Sequence, residues 1–463
     1  MSEYNCIDLH NLNESILNTN IRISGRVHNV RKTGAICFII LRDQLRSLQA
    51  VTTKKNIGPE RFKDLYSIQN ESFVELYGQL TQLPDTIARV ESTYYKNFEF
   101  KISDFKVISN SHKIPFPLDD ANQLDEDLSD RNKVLLNTRL NNRSYELRTP
   151  VNNCIFKLQS GVTELFREYL RSQDFMEIFT PKLIGTSSES GSSVFPVNYF
   201  DKKAFLAQSP QLYKQMCINS DFKRVFEIGP VFRAENCISH RHLCEFIGLD
   251  VEMALTTGKD YYELINMLWN ILSYIFDNLK TKYAEQLNYV KTVHKYDDLI
   301  YSKEPLIVNF KDGVKYLQDA GFKQDLHSDL STENEKQLGR IIKQKYGYDI
   351  FVLDKYPTSV RPFYTMPCED DKLFSNSFDV IMRGEEIISG SQRIHDYDML
   401  TENIKNNNLS TELLSDYLES FAAGSRPHAG FGMGLARIIM LFLSLGNVRR
   451  TSMYPRDPNR ITP

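Results

Sequence analysis

The hydrophobic pattern of this chain changes period once, near residue 150, and that change excludes any single regular architecture. Residues 20–110 alternate in part with period two. The segments IRISGRVHNVR, ICFIILRD, SFVELYGQL and FEFKISDFKVIS are rich in Val, Ile, Phe and Tyr, residues that suit a pleated, half-buried surface. Gly25, Gly34 and Gly78 punctuate them. About five strands in roughly 90 residues predicts a small β-barrel, with an oligonucleotide-binding fold leading over a generic barrel module. From residue 151 the period becomes helical: Ile155, Leu158, Val162, Leu165, Phe166 and Leu170 recur near every 3.6 residues.

Between the two patterns lies HKIPFPLDDANQLDEDLSDR, with two prolines and an acidic run. It reads as an exposed interdomain linker, followed by the basic stretch RLNNRSYELR. Beyond the first helix, DFMEIFTPKLI reads as a strand broken at Pro181. Strands FEIGPVFRA, FIGLDVEMAL and FDVIMRGEEIISG then mix with helices near 260–282, 332–346, 410–422 and 433–445. No regular βαβ spacing appears. The expected fold is α+β: a five-stranded oligonucleotide-binding β-barrel over 1–110, a linker over 111–150, and an antiparallel-sheet domain over 151–463.

Charge and cysteine usage narrow the function. The net charge of −3 provides no global basic field, so any nucleic acid must be held by local patches. Seven scattered cysteines (6, 37, 154, 217, 237, 244 and 368) include no C-x-x-C pair. A disulfide framework and a zinc ribbon are both disfavoured, and a reducing compartment fits. The N-terminal MSEYNCIDLHNLNES has neither signal-peptide nor Arg-rich transit character. The apolar run IIMLFL at 438–443 falls far below the roughly 20 residues of a membrane span. The expected location is the cytoplasm, with no membrane partner.

Four segments carry chemistry. In FEIGPVFRAENCISHRHLCEFIGLDVEM, Arg233 ends a strand, Glu235, His240, Arg241 and His242 crowd a loop, and a second strand returns through Phe246. An arginine fork grips phosphate oxygens, a carboxylate accepts from an exocyclic amine, and a ring stacks on a base. In AGFGMGLARIIMLFL, Gly430, Gly432 and Gly434 precede an apolar helix containing Arg437. Such glycines allow close backbone approach, and a helix N-terminus favours an anion. In GEEIISGSQRIHD, Glu386 and Ser389 together suit Mg²⁺, and Arg393 suits a carboxylate. Glu385 should face the other side of the strand from Glu386. In FLAQSPQLYKQ, two Gln, a Ser and Lys214 gather around a proline. Taken one at a time, each has a plain alternative: a solvated hairpin tip, a buried helix start, a charged strand face, a polar loop.

Taken together and in this order, the segments resemble the class II aminoacyl-tRNA synthetases. DFMEIFTPKL, with Phe175, Ile178 and Pro181, is similar to the first class-defining motif. The Arg233 hairpin is similar to the second, and Gly432, Gly434 and Arg437 to the third. Within the class, TPKLIGTSSESGSSVFPVNYF, QSPQLYKQ, ISGSQRIHD and VRRTSMYPRDPNRITP resemble the aspartate-charging subfamily of eukaryotic cytosolic and archaeal kind. The resemblance runs from about residue 20 to 463. Three departures stand out: no Lys-rich stretch precedes the barrel, the large insertion of bacterial relatives is missing, and Ala436 stands where relatives often have an acidic residue.

The resemblance implies a reaction and a set of roles. L-aspartate is activated by ATP and transferred to tRNA(Asp). Arg233 and Arg437 are the catalytic cations. Lys214 and Arg393 hold the aspartate side chain, with Asp250 beside them, and Glu189 and Gln211 recognise the α-amino group. Arg233, Glu235, His242, Phe246, Glu386 and Arg437 bind ATP, and Glu386 and Ser389 bind Mg²⁺. Phe38, Gln49 and Arg31 meet the anticodon, although Phe38 also suits a barrel core. The first motif implies a homodimer. On this reading asparagine is rejected because it leaves two cations unpaired. Alternatives are an asparaginyl-tRNA synthetase, an aspartate–ammonia ligase and an inactive RNA-binding paralogue.

Overall fold

The computed structural model describes residues 4–84, 90–123, 133–188, 193–256 and 261–463. The chain divides into two compact units, Met1–Cys154 and Ile155–Pro463.

In the first unit, strands β1 (Asn20–Thr33), β2 (Ile36–Asp43) and β3 (Arg46–Thr53) form a meander. Helix α1 (Pro59–Tyr66) follows, then β4 (Phe73–Gln82) and β5 (Phe98–Ser109). β1 pairs with both β2 and β4, and β3 pairs in parallel with β5, so the five strands close on themselves. Alternation dictates the interior. Cys37, Ile39 and Leu41 of β2, and Leu48 and Ala50 of β3, are fully buried. Phe38 and Gln49, one residue out of phase, are only partly buried. Helix α1 was not expected from the strand-like pattern; its Phe62 and Leu65 cap the barrel core.

The segment 111–150 is more than a tether. Short helices at Leu118–Ala121, Leu136–Asn141 and Arg143–Glu146 gather Phe116, Ala121 and Val134 against Tyr145. Arg143 is buried and paired with Glu146 at 2.6 Å. Most of the acidic run, 124–132, lies outside the described residues.

The second unit is built on an eight-stranded sheet. Helix α2 (Pro150–Ser172) leads to a short edge strand β6 (Met176–Glu177). Helix α3 (Gln211–Asn219), β7 (Arg224–Phe232), β8 (Glu245–Ala254), helix α4 (Tyr262–Lys282) and β9 (Ile307–Asn309) follow. Helix α5 (Thr332–Tyr346), β10 (Ile350–Asp354), β11 (Ser377–Met382), β12 (Glu385–Gln392), β13 (His428–Gly434) and helix α6 (Leu435–Phe442) complete it. The strand order is β9-β10-β11-β12-β13-β8-β7-β6. The expected antiparallel sheet holds for the six central strands, whereas both edges pair in parallel. FDVIMRGEEIISG, read as one strand, is two: Arg383 and Gly384 both take positive φ (51° and 80°), the two-residue turn that matches strand twist. The α2 ridge packs onto the sheet, with Phe166 edge-on to Phe226 at 5.9 Å.

Candidate active site

Three adjacent central strands present one face to a cleft of ≈ 530 Å³. Period two puts Phe246, Gly248, Asp250 and Glu252 of β8 on the same face. Register aligns Ser391 with Gly430 and Gly430 with Glu252. It likewise aligns Ser389 with Gly432 and Gly432 with Asp250. The glycines expected at a helix start therefore lie on strand β13, where they leave room for carboxylates from β8. A Cβ on Gly430 would sit 2.0 Å from Glu252 Oε2, and one on Gly432 would sit 3.2 Å from Asp250 Oδ1.

Helix α3 supplies the opposite wall. Helical spacing puts Gln211, Lys214 and Gln215 on one side, and all three are buried. Lys214 Nζ lies 3.1 Å from Asp250 Oδ1 and 3.4 Å from Glu252 Oε2. Arg393 grips both oxygens of Glu252, through Nε at 2.9 Å and Nη2 at 3.1 Å. Burial raises the Glu252 carboxyl, but Arg393 and Lys214 outweigh it and hold it below its usual range.

These contacts correct the expected basis of amino-acid choice. Lys214 and Arg393 do not wait as two uncompensated cations, because a buried charge without a partner is too costly. Glu252, missed by the sequence reading, was legible: it lies two residues past Asp250 on the same strand face.

The other end of the cleft is basic. Arg233 has no carboxylate within ion-pair distance among the described residues, and its buried Nε lacks a hydrogen-bond partner. Its guanidinium lies 5.6 Å from the Phe246 ring. Arg437 donates to the carbonyl oxygens of Glu386 (3.0 Å) and Arg241 (3.3 Å). His242 accepts or donates at Nδ1 with Ser239 Oγ at 2.6 Å. Burial, then Arg437, and further Arg241 and Arg233, push its pKa down against the pull of Glu235. The same field favours a polyanion. Glu235 also lines the cleft.

At the β11–β12 pair, Glu386 and Ser389 line the cleft, whereas Glu385 turns to His240 at 2.8 Å. Two further residues belong here. Asp379 stands opposite Ser389, and Arg361 bridges them, 2.9 Å from Asp379 Oδ2 and 3.1 Å from Ser389 Oγ. Asp379 Oδ1 is buried with no hydrogen-bond partner, and burial raises its pKa. Such an orphaned carboxylate oxygen beside Glu386 fits a hard cation. Strand pairing alone reveals Asp379; Arg361 had a faint signal in its Pro-flanked segment.

Glu189 lies outside the described residues. On the barrel, Arg31 stacks over the Phe38 ring at 5.1 Å and Gln49 donates to Glu99 at 2.7 Å, so Phe38 is not core.

Family models and known proteins match nearly the whole chain. Residues 136–458 match the family described as tRNA synthetases class II (D, K and N). Residues 21–108 match the OB-fold nucleic acid binding domain. The cytoplasmic aspartate–tRNA ligase of Mus musculus is 43% identical, covering 95% of this chain and 88% of its own. The structure of aspartyl tRNA synthetase from Entamoeba histolytica superposes with a TM-score of 0.90 at 36% identity, covering 99% of this chain and 93% of that one. Asparaginyl-tRNA synthetase from Pyrococcus horikoshii, solved with asparaginyl-adenylate, superposes with a TM-score of 0.88 at 26% identity, covering 99% of each chain.

Proposed function

The chain belongs to the class II tRNA synthetases of the D, K and N group, and we infer from that premise that it is an aspartate–tRNA ligase. The observation that carries the reading is the cleft itself, where donor-only Lys214 and Arg393 stand at one end and Arg233 and Arg437 at the other. A carboxylate side chain offers only acceptors to an ammonium and a guanidinium. An asparagine amide must turn an N–H₂ toward one of them, and a buried donor facing a donor costs about 1–3 kcal/mol. Discrimination thus rests on hydrogen-bond polarity rather than on empty charge. Gln211 and Glu189 would receive the α-amino group.

The aspartate α-carboxylate attacks the α-phosphorus of ATP in line, and pyrophosphate leaves. The terminal adenosine 3′-hydroxyl of the tRNA then attacks the mixed anhydride and releases AMP. Arg233 faces the α-phosphate and Arg437 the γ-phosphate, with His242 beside them, while Glu235 and Phe246 hold the adenine. Positioned cations supply most of the rate, and no protein nucleophile is needed. Glu386, Ser389 and Asp379 are the residues that would hold Mg²⁺, which when bound neutralises phosphate charge. Phe38, Gln49 and Arg31 stack on and bond anticodon bases.

The test is pyrophosphate–ATP exchange with Asp and Asn, alongside aminoacylation of tRNA(Asp) and tRNA(Asn). Exchange with Asp and charging of tRNA(Asp) are expected. Exchange driven by Asn instead would overturn the assignment.

A homodimer also belongs to this proposal. Edge strand β6 and the residues after it, through the short strand Leu183–Ile184, expose Met176, Phe179 (82%) and Leu183, apolar surface that a symmetric partner would cover. Sedimentation velocity should give twice the chain mass, and Phe179→Asp should shift it to monomer; a monomeric parent protein would refute the dimer. The Mus musculus relative is named as a cytoplasmic ligase, and no helix among the described residues is long and apolar enough to cross a membrane. We place the chain in the cytoplasm.

A further inference from the structure

Gln211 and Arg393 line the cleft, but what orients them lies behind it. His428 on β13 is completely buried. Its Nδ1 lies 2.7 Å from the Arg426 carbonyl oxygen. A carbonyl only accepts, so Nδ1 carries the proton. Burial keeps the ring neutral, pulling its pKa down to about 4 even though Glu252 pulls the other way. Nε2 must then accept, and Gln215 Nε2 stands 3.0 Å away to donate.

That turns the Gln215 carbonyl to its other side. There it accepts from Gln211 Nε2 at 2.9 Å and from the Tyr417 hydroxyl at 3.1 Å. The Gln211 carbonyl consequently accepts from Arg393 Nη2 at 3.3 Å. One end of this chain is an acceptor-only carbonyl and the other a donor-only guanidinium. The polarity of every amide between them is forced.

The geometry points to His428 as a positioning residue for amino-acid selection: through Gln215 it holds Gln211 with its carbonyl toward Arg393 and the substrate ammonium. The inference rests on the reading of the cleft as an aspartate-activating site. A reversed relay would set the Gln211 N–H₂ against Arg393, donor against donor, and against the incoming ammonium. Nothing in the relay lies among the ATP-facing groups, so its loss acts on the amino acid alone.

The test compares His428→Phe and Gln215→Met, both close in size to the native residue, with His428→Gln, which retains a donor and an acceptor. Pyrophosphate exchange is measured per titrated active site. The first two should raise the KM for aspartate about 10- to 100-fold, the range for a lost hydrogen bond to a charged group. They should also narrow the Asp/Asn ratio of kcat/KM, with the KM for ATP within about threefold of wild type. His428→Gln should recover most of the loss. Should His428→Phe fail to fold, Gln215→Met decides. Parallel rises in both KM values, an unchanged aspartate KM, or a glutamine variant no better than phenylalanine would each overturn the relay. Absence of aspartate-dependent exchange in the wild type would instead overturn the reading of the cleft.

Discussion

Replacing Arg233 with glutamine is expected to slow aspartate-dependent pyrophosphate exchange about 10²–10³-fold, the usual loss when one preorganised donor to a developing anion is removed. The loss should appear in kcat, because negative charge on the α-phosphate oxygens increases from bound ATP to the transition state. Arg233 has no carboxylate partner among the described residues and a buried, unpaired Nε. Its donors are held ready for a ligand rather than spent on the fold. Thermal stability should therefore stay within about 2 °C of wild type, the scale of a surface substitution. Arg233→Lys should restore little, since a point charge does not reproduce a planar fork. Exchange within threefold of wild type in the glutamine variant would remove Arg233 from the reaction.

Replacing Arg393 with leucine should be costly in two ways. It removes the ligand proposed for the aspartate side chain, and it strips Glu252, which is 0% exposed, of its bidentate partner. Breaking a buried pair in this way costs about 3–5 kcal/mol, a large part of the roughly 5–15 kcal/mol that holds most domains folded. The pH dependence gives the mechanism away. In the wild type Glu252 titrates below its usual range, so its contribution is present above the unfolded carboxylate pKa and is lost as pH falls through the lower folded value. In the variant burial is opposed by Lys214 alone, and the carboxyl shifts upward. Its penalty is then absent below the unfolded pKa and grows as pH rises through the folded one. The stability gap between the two proteins should accordingly narrow as pH falls from 7 toward 5 in denaturant titrations. A gap independent of pH would mean that lost packing, not an orphaned carboxylate, is the cause.

Much of the molecule was legible without coordinates. The alternation of Cys37, Ile39 and Leu41 against Phe38 suffices to build the barrel wall, because a strand has only two faces. The ordered segments around Arg233, Glu386, Arg393 and Arg437 suffice to name a family, because so many residue types at those spacings have no common alternative use. Helix α1 was hidden inside a strand-like stretch, since eight residues with two buried anchors barely register as a period. The turn at Arg383-Gly384 has a local signal in its glycine, but the apolar residues on both sides continue the strand pattern across it.

Sequence alone thus determined the class of fold and the reaction, and it supplied the candidates for the residues that meet the substrates. It did not determine how those residues are paired. Glu252 neutralising Arg393, Asp379 opposite Ser389, and His428 bonded to Gln215 each join residues 10 to 213 positions apart. Local propensity carries no information about such partners. Burial compels each buried polar group to find one, and only the packed sheet decides which groups come within reach.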